Sequence, residues 1–286
     1  MGRSSSVPPD FYTAGQAIKK LGIPRSTFYD MVERGQISKV IPPNKSDAWY
    51  PKDEIDKMAK AHQLFMLQYA RDVSTFEIAQ EEDIEDIADL NAELFGGSMA
   101  SRYRLRMSQY KANQEIFHVL KQGEALVGYV GIFPLKHDAI EKIMSGIPES
   151  RFRIEVLSPE NIVQFKPEEA KEAFVIIGTR QRVKKSKFYA ARMITGSIEF
   201  LETLARRGVI IEKVYATSRT QDGIKLSNDF GFQRVIPSGE EDDLLRFELD
   251  LLNSSNPLLR KYQKLAKQTK GNHKIQEWNT IQQEKQ

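Results

Sequence analysis

The chain has 286 residues, enough for two domains, with 28% charged and 40% hydrophobic residues, the balance of an ordinary soluble globular protein. It contains no cysteine, which excludes disulfides, thiolate metal sites and cysteine nucleophiles and suits a reducing compartment. The net charge of +3 is unevenly spread: residues 1–75 carry eleven Lys/Arg against eight Asp/Glu, residues 254–286 carry seven against two, and the middle is acidic.

The first ten residues, MGRSSSVPPD, lack the apolar core of a secretory signal and read as a loose tail. No run further along approaches the roughly 18 apolar residues of a membrane span, so a cytoplasmic protein is expected. In FYTAGQAIKKLGIPRSTFYDMVERGQ, Thr13 is placed to cap a helix whose apolar positions are Ala17, Ile18 and Leu21, with Gly22 as its stop. Ser26 is placed to cap a second helix with Phe28, Met31 and Val32 turned inward and Gly35 as its end. Two short helices across a tight turn predict a helix-turn-helix, whose second helix would offer Arg25, Ser26, Thr27, Tyr29 and Asp30 to a DNA groove. The stretch ISKVIPPNKSDAWYP predicts a hairpin wing carrying Lys39, Asn44 and Lys45 to phosphates. Residues 53–71 have the apolar spacing of one helix.

From Thr75 onward the pattern changes. Strand FEIA, a helix from about 82 to 95, a charged helix over about 98–113 and strands IFHVL and ALVGYVGIFPL follow in turn. Helix HDAIEKIMSG opens an insertion of roughly 35 residues. Strand EAFVIIG, a long helix over about 185–207, strand KVYATS, helix QDGIKLSNDF and strands FQRVI and LLRFELDL complete the body. The four histidines, at 62, 118, 137 and 273, are too scattered for a metal motif, and His118, within a strand, reads as a hydrogen-bonded core residue. The order of elements predicts an α/β (α+β) domain with one central mixed sheet. The divisions are a tail over 1–10, a DNA-binding module over 11–62, a linker helix over 63–74, the larger domain over 75–252 and a basic tail over 253–286 that opens with a short helix.

The first module resembles the excisionase and MerR-type winged helix-turn-helix, a small all-α winged domain. Tyr12, Thr13, Ala17, Leu21, Gly22, Arg25, Ser26, Thr27, Tyr29 and Gly35 fall on its pattern. The resemblance implies double-stranded DNA as partner, a role in transcription regulation and a homodimer reading paired half-sites. Asp30 departs from the usual basic or neutral residue and is suited to accept from a cytosine amino group.

VYATSRTQDGIKLSNDFGFQRV (214–235) and EAFVIIGTRQRVKKSKFYAARMI (172–194) resemble the closing half of the GNAT family of N-acetyltransferases, and ALVGYVGIFPL its third strand. The resemblance implies acetyl-CoA or another acyl-CoA as cofactor. It implies a fourth strand splayed from its neighbour, with pantetheine pairing along Ile176, Ile177 and Gly178. The pyrophosphate would lie on the turn Lys185, Ser186, Lys187, Phe188, Tyr189 and Ala190 at a helix N-terminus. Phe188 stands where the family has glycine, and Ser227 stands where it has the tyrosine that protonates the leaving thiolate. Glu172 is the candidate base, and Tyr189 or Tyr129 a substitute acid. Three readings stay open at this point: a working acyltransferase localised by its DNA-binding module, an effector-sensing domain of a regulator, or a dimerisation platform.

Overall fold

The computed structural model describes residues 7–43, 47–61, 74–146, 155–180, 186–237 and 243–271, the side chains of 186 and 187 excepted. The chain divides into two compact units, Met1–Asp72 and Val73–Gln286. No helix among the described residues is long and apolar enough to cross a membrane.

In the first unit, strand β1 (Phe11–Thr13) runs directly into helix α1 (Ala14–Leu21). The junction is fixed by a capping box, in which Gln16 N donates to Thr13 Oγ1 (3.2 Å) and Thr13 N to Gln16 Oε1 (2.8 Å). Gly22 ends the helix at φ 67°, a left-handed conformation that glycine adopts without a Cβ penalty. Helix α2 (Arg25–Glu33) has its cap two residues earlier than the sequence suggests: Pro24, extended at φ −58° and ψ 148°, occupies that position. Ser26 therefore lies inside the first turn and caps nothing, because the proline ring already presets the entry to the helix.

Strand β2 (Trp49–Pro51) pairs antiparallel with β1, and Val40 and Trp49 exchange two 2.8 Å backbone hydrogen bonds across a hairpin. This unit is therefore not all-α, as expected from the resemblance, because the wing and the N-terminal segment add extended pairs. Helix α3 covers 52–61; the rest of the helix expected to 71 lies outside the described residues. Ala17, Leu21, Phe28, Val32, Ile37, Tyr50 and Ile55 form the buried core, with Phe28 edge-on to Tyr50 at 4.9 Å.

The second unit is a mixed α/β structure around a seven-stranded sheet. Its strands are β3 (Thr75–Ile78), β4 (Phe117–Gln122), β5 (Ala125–Pro134), β6 (Glu172–Thr179), β7 (Lys213–Ser218), β8 (Gln233–Val235) and β9 (Leu245–Asp250), in the order β3-β4-β5-β6-β7-β9-β8. Every neighbouring pair is antiparallel except β6 and β7.

Helices α4 (Asp83–Phe95), α5 (Met99–Ala112), α6 (His137–Met144), α7 (Ser186–Arg206) and α8 (Gln221–Phe230) connect the strands. Residues along β5 alternate between two packed faces, as the pleat requires. Gly128 meets Met193 of α7, whereas Tyr129 on the opposite face bonds Asn91 of α4 (2.9 Å). Beyond 252 the expected short helix is present. A helix over 260–271, α9, docks on the core through Tyr262 and Ala266, both fully buried, and Tyr262 Oη donates to Ile211 O (2.6 Å).

His118 lies buried in β4 between Phe76 and Phe200, with ring centroids at 5.4 and 4.2 Å. Among the described residues neither ring nitrogen has a hydrogen-bond partner, contrary to the expectation of a satisfied core histidine, and burial lowers its pKa to about 3. The strand puts this side chain among aromatic rings that have nothing to offer it.

Candidate functional site

The sheet parts along its one parallel pair. Strand β6 pairs with β5 over its whole length after Glu172, from Pro134↔Ala173 to Gly128↔Thr179. With β7 it pairs only at Glu172↔Lys213, Ala173↔Val214 and Phe174↔Tyr215. Beyond that point β7 continues along β9 to Ser218↔Leu245, so Val175–Thr179 and Ala216–Ser218 flank a cleft. On the β7 side, the backbone groups of Val175–Thr179 have no ladder partner among the described residues. Such groups are obligatory hydrogen-bonding sites, and an open strand edge is a template for an extended ligand. Ala173 and Phe174 are buried; past them Val175, Ile176, Ile177 and Thr179 are partly exposed, while Gly178 is buried.

Along the short paired segment, side chains also hold the two strands together. Tyr215 Oη donates to Glu172 Oε1 (2.7 Å), and His137 Nδ1 lies 2.7 Å from Glu172 Oε2. Burial, then the hydrogen bond to Glu172, pushes the Tyr215 phenol above its usual range. The Glu172 hydrogen bond and charge raise the His137 imidazole above 6.5, with Glu141, 3.5 Å from Nε2, adding to the effect. Lys213, paired with Glu248 at 2.9 Å, is raised by that hydrogen bond. A cavity of about 460 Å³ at this closed end is lined by Lys136, His137, Lys171, Glu172 and Lys213, among others.

At the open end, Arg180 follows β6. Its guanidinium donates to Asp89 Oδ2 and Glu93 Oε2 of α4 (both 3.1 Å) and, through Nε, to Leu126 O (3.1 Å).

The fold brings Ile176, Ile177 and Gly178 to the cleft edge and puts Glu172 at its closed end. It does not bring Tyr189 to Glu172. Tyr189, fully buried in the first turns of α7, donates to Gln122 Oε1 (2.6 Å). Gln122 lies beyond the Thr179 end of β6, which is roughly 23 Å from Glu172 at ~3.3 Å per strand residue. Ser227 is buried in α8, on another element again, and Tyr129 is tied to Asn91. Phe188 and Ala190 are partly exposed on α7; Lys185 and the side chains of Ser186 and Lys187 lie outside the described residues. His137 and Tyr215 were not legible as site residues. They stand 35 and 43 positions from Glu172 in the chain, and only the fold makes them neighbours.

In the first unit, Arg25, Ser26, Thr27, Tyr29 and Asp30 are all exposed on α2, and Phe28 and Val32 anchor its opposite side. The Arg25 guanidinium lies 5.6 Å from the centre of the Tyr29 ring, and Asp30 pairs with Arg34 at 3.7 Å. Lys39 is exposed on the hairpin, whereas Asn44 and Lys45 lie outside the described residues.

The solved structures to which the chain is similar include acetyltransferases. A putative acetyltransferase from Salmonella typhimurium, solved with its cofactor acetyl-CoA, is 13% identical over 65% of this chain and 98% of that one, with a TM-score of 0.38. An N-acetyltransferase from Staphylococcus aureus is 13% identical over 62% of this chain and 98% of that one (TM-score 0.38). A spermidine N-acetyltransferase from Vibrio cholerae is 12% identical over 63% and 94% (TM-score 0.40). No family model and no curated protein matches the chain.

Proposed function

We propose that the chain is a DNA-binding regulator whose larger unit is GNAT-like and holds acetyl-CoA or another acyl-CoA between β6 and β7. The observation that carries this reading is the parallel pair that stops after three residue pairs while β6 runs on to Thr179. A pantetheine arm is an extended chain with two amides, suited to pair with Ile176–Gly178 as a strand would. The pyrophosphate then falls at the start of α7, where the first-turn backbone N–H groups of a helix and its dipole favour an anion. In the first unit, α1 and α2 joined through Gly22–Pro24 are read as a helix-turn-helix; supporting this, Arg25, Ser26, Thr27, Tyr29 and Asp30 are exposed on α2. Two half-sites would be read by a homodimer.

Calorimetry with acetyl-CoA tests the cleft. If neither the native protein nor Phe188→Gly, which opens close backbone approach, binds at millimolar ligand, the cofactor reading is lost. Tyr189, bonded to Gln122 beyond the far end of β6 from Glu172, favours a second reading within the first, in which the acyl-CoA is an effector that is bound and not consumed. Free-thiol release in the presence of candidate amines separates the two. DNA binding is tested with the full chain on duplex DNA across a salt series, and homodimer formation by sedimentation with and without DNA.

A further inference from the structure

Strand β6 faces a mechanical problem at its open end. Past Phe174 it has a ladder neighbour on one side only among the described residues, and a strand held on one side opens more readily than one held on both. If its edge is to pair with an extended ligand, it must stay extended before the ligand arrives, since ordering on binding subtracts from affinity.

Helix α4 grips this end at two successive points. At Gly178, an added Cβ would lie 2.6 Å from Tyr129 Cε1 and 2.9 Å from Leu94 Cδ1, so the strand backbone is packed directly on these two side chains. Two residues on, Arg180 reaches across to Asp89 and Glu93, which lie four apart and so project from successive turns of α4. The guanidinium also donates to Leu126 O, and Arg180 N donates to Val127 O (3.1 Å). One residue thus joins the end of β6 to the start of β5 and to α4. The planar fork of arginine can meet several acceptors at once, whereas lysine is a single point charge.

We propose that Arg180 is a positioning residue for acyl-CoA. Clamped by Asp89, Glu93 and the Leu126 carbonyl, it holds Val175–Thr179 in the extended form that pairs with the ligand. This rests on the cofactor reading above. In this role the two carboxylates matter as much as the arginine, although negative groups cannot themselves favour a phosphate. That separates the clamp from the alternative in which Arg180 simply contacts the pyrophosphate.

The test uses the full chain, with Arg180→Gln, Arg180→Lys and the double variant Asp89→Asn/Glu93→Gln. Hydrogen exchange, read without ligand, is expected to quicken over 175–180 in Arg180→Gln and in the double variant, with 213–218 unchanged. Acetyl-CoA dissociation constants from calorimetry are expected to rise roughly tenfold in both, and less in Arg180→Lys. Melting temperatures should barely move, because partly exposed ion pairs contribute little to global stability. Unchanged exchange over 175–180 in both variants overturns the proposal whether or not acetyl-CoA binds. Weakened binding in Arg180→Gln, with unchanged or tighter binding in the carboxylate variant, overturns it in favour of direct phosphate contact. Absence of binding by the native protein, with exchange altered as expected, would instead count against the cofactor reading alone.

Discussion

Gly196, in the middle of α7, sets two known effects against each other. A glycine inside a helix is usually worse than alanine by about 1 kcal/mol, so Gly196→Ala should stabilise the helix taken alone. An added Cβ, however, would lie 2.2 Å from Phe76 Cδ1 and 2.5 Å from Cγ, far inside van der Waals contact. Those atoms belong to the near side of the ring, so no terminal rotation clears them. The ring is also hemmed in: it stacks on His118 at 5.4 Å with an interplanar angle of 10°, and the Arg192 guanidinium lies 5.7 Å from its centre. Relief requires either β3 or α7 to move.

Overpacking of this kind costs roughly 1–3 kcal/mol, and so severe an overlap belongs at the upper end. Set against the propensity gain, the net destabilisation is about 1–2 kcal/mol. For a unit of this size that lowers Tm by roughly 2–8 °C, readable by calorimetry in the transition of the larger unit. Phe76→Leu in the Gly196→Ala background should restore much of the loss, giving a favourable coupling between the two changes. An unchanged or raised Tm in Gly196→Ala would show that helix propensity wins and that α7 is not tightly seated on β3.

Replacing His118 by leucine removes a buried imidazole without partners, a gain of about 1–3 kcal/mol, and forfeits ring contacts of about 0.5–1.5 kcal/mol, so a Tm increase of a few degrees is expected. Its advantage should grow as pH falls from 6.5 towards 3, where the unfolded histidine takes up a proton that the folded one refuses; a pH-independent difference would contradict this. For His137 the sign is opposite: its raised pKa gives stabilisation that is full below 6.5 and fades as pH rises through the folded value, so the Tm gap between native and His137→Gln should close towards pH 8. A gap that widens with pH would refute the pairing with Glu172. Arg25→Ala is expected to weaken specific DNA binding by ~1–3 kcal/mol if it reads a guanine, measured by fluorescence anisotropy; an equal loss on every duplex would make Arg25 a phosphate contact instead.

Much of the architecture was legible because each element states its own period. Ile84, Ile87 and Leu90 recur at helical spacing and are all fully buried on α4, and the unbroken apolar text of β5 matches a central strand covered on both faces. Thr13 announced its cap, and the capping box is present. Docking of the C-terminal helix was visible only in hindsight, in Leu259, Tyr262 and Ala266 at helical intervals within otherwise basic text. The site was less readable. Ile176–Gly178 could be placed from the strand and the turn after it, but the Tyr215–Glu172–His137 chain depends on strand order and register, which no local pattern encodes.

The short parallel pairing also divides the sheet into two leaves. One leaf, β3 to β6, is laced by antiparallel ladders; the other, β7, β9 and β8, is laced in the same way; and they share a spine of three residue pairs. Interaction across that spine sets how cooperatively the leaves unfold, just as a short interface does between adjacent repeats of a solenoid. Tyr215 bonded to Glu172 reinforces the spine from the side. Weakening it by Tyr215→Phe should therefore loosen the correlation between the leaves before it loosens either leaf, so that protection in Lys213–Ser218 falls while protection in the β4–β5 ladder persists.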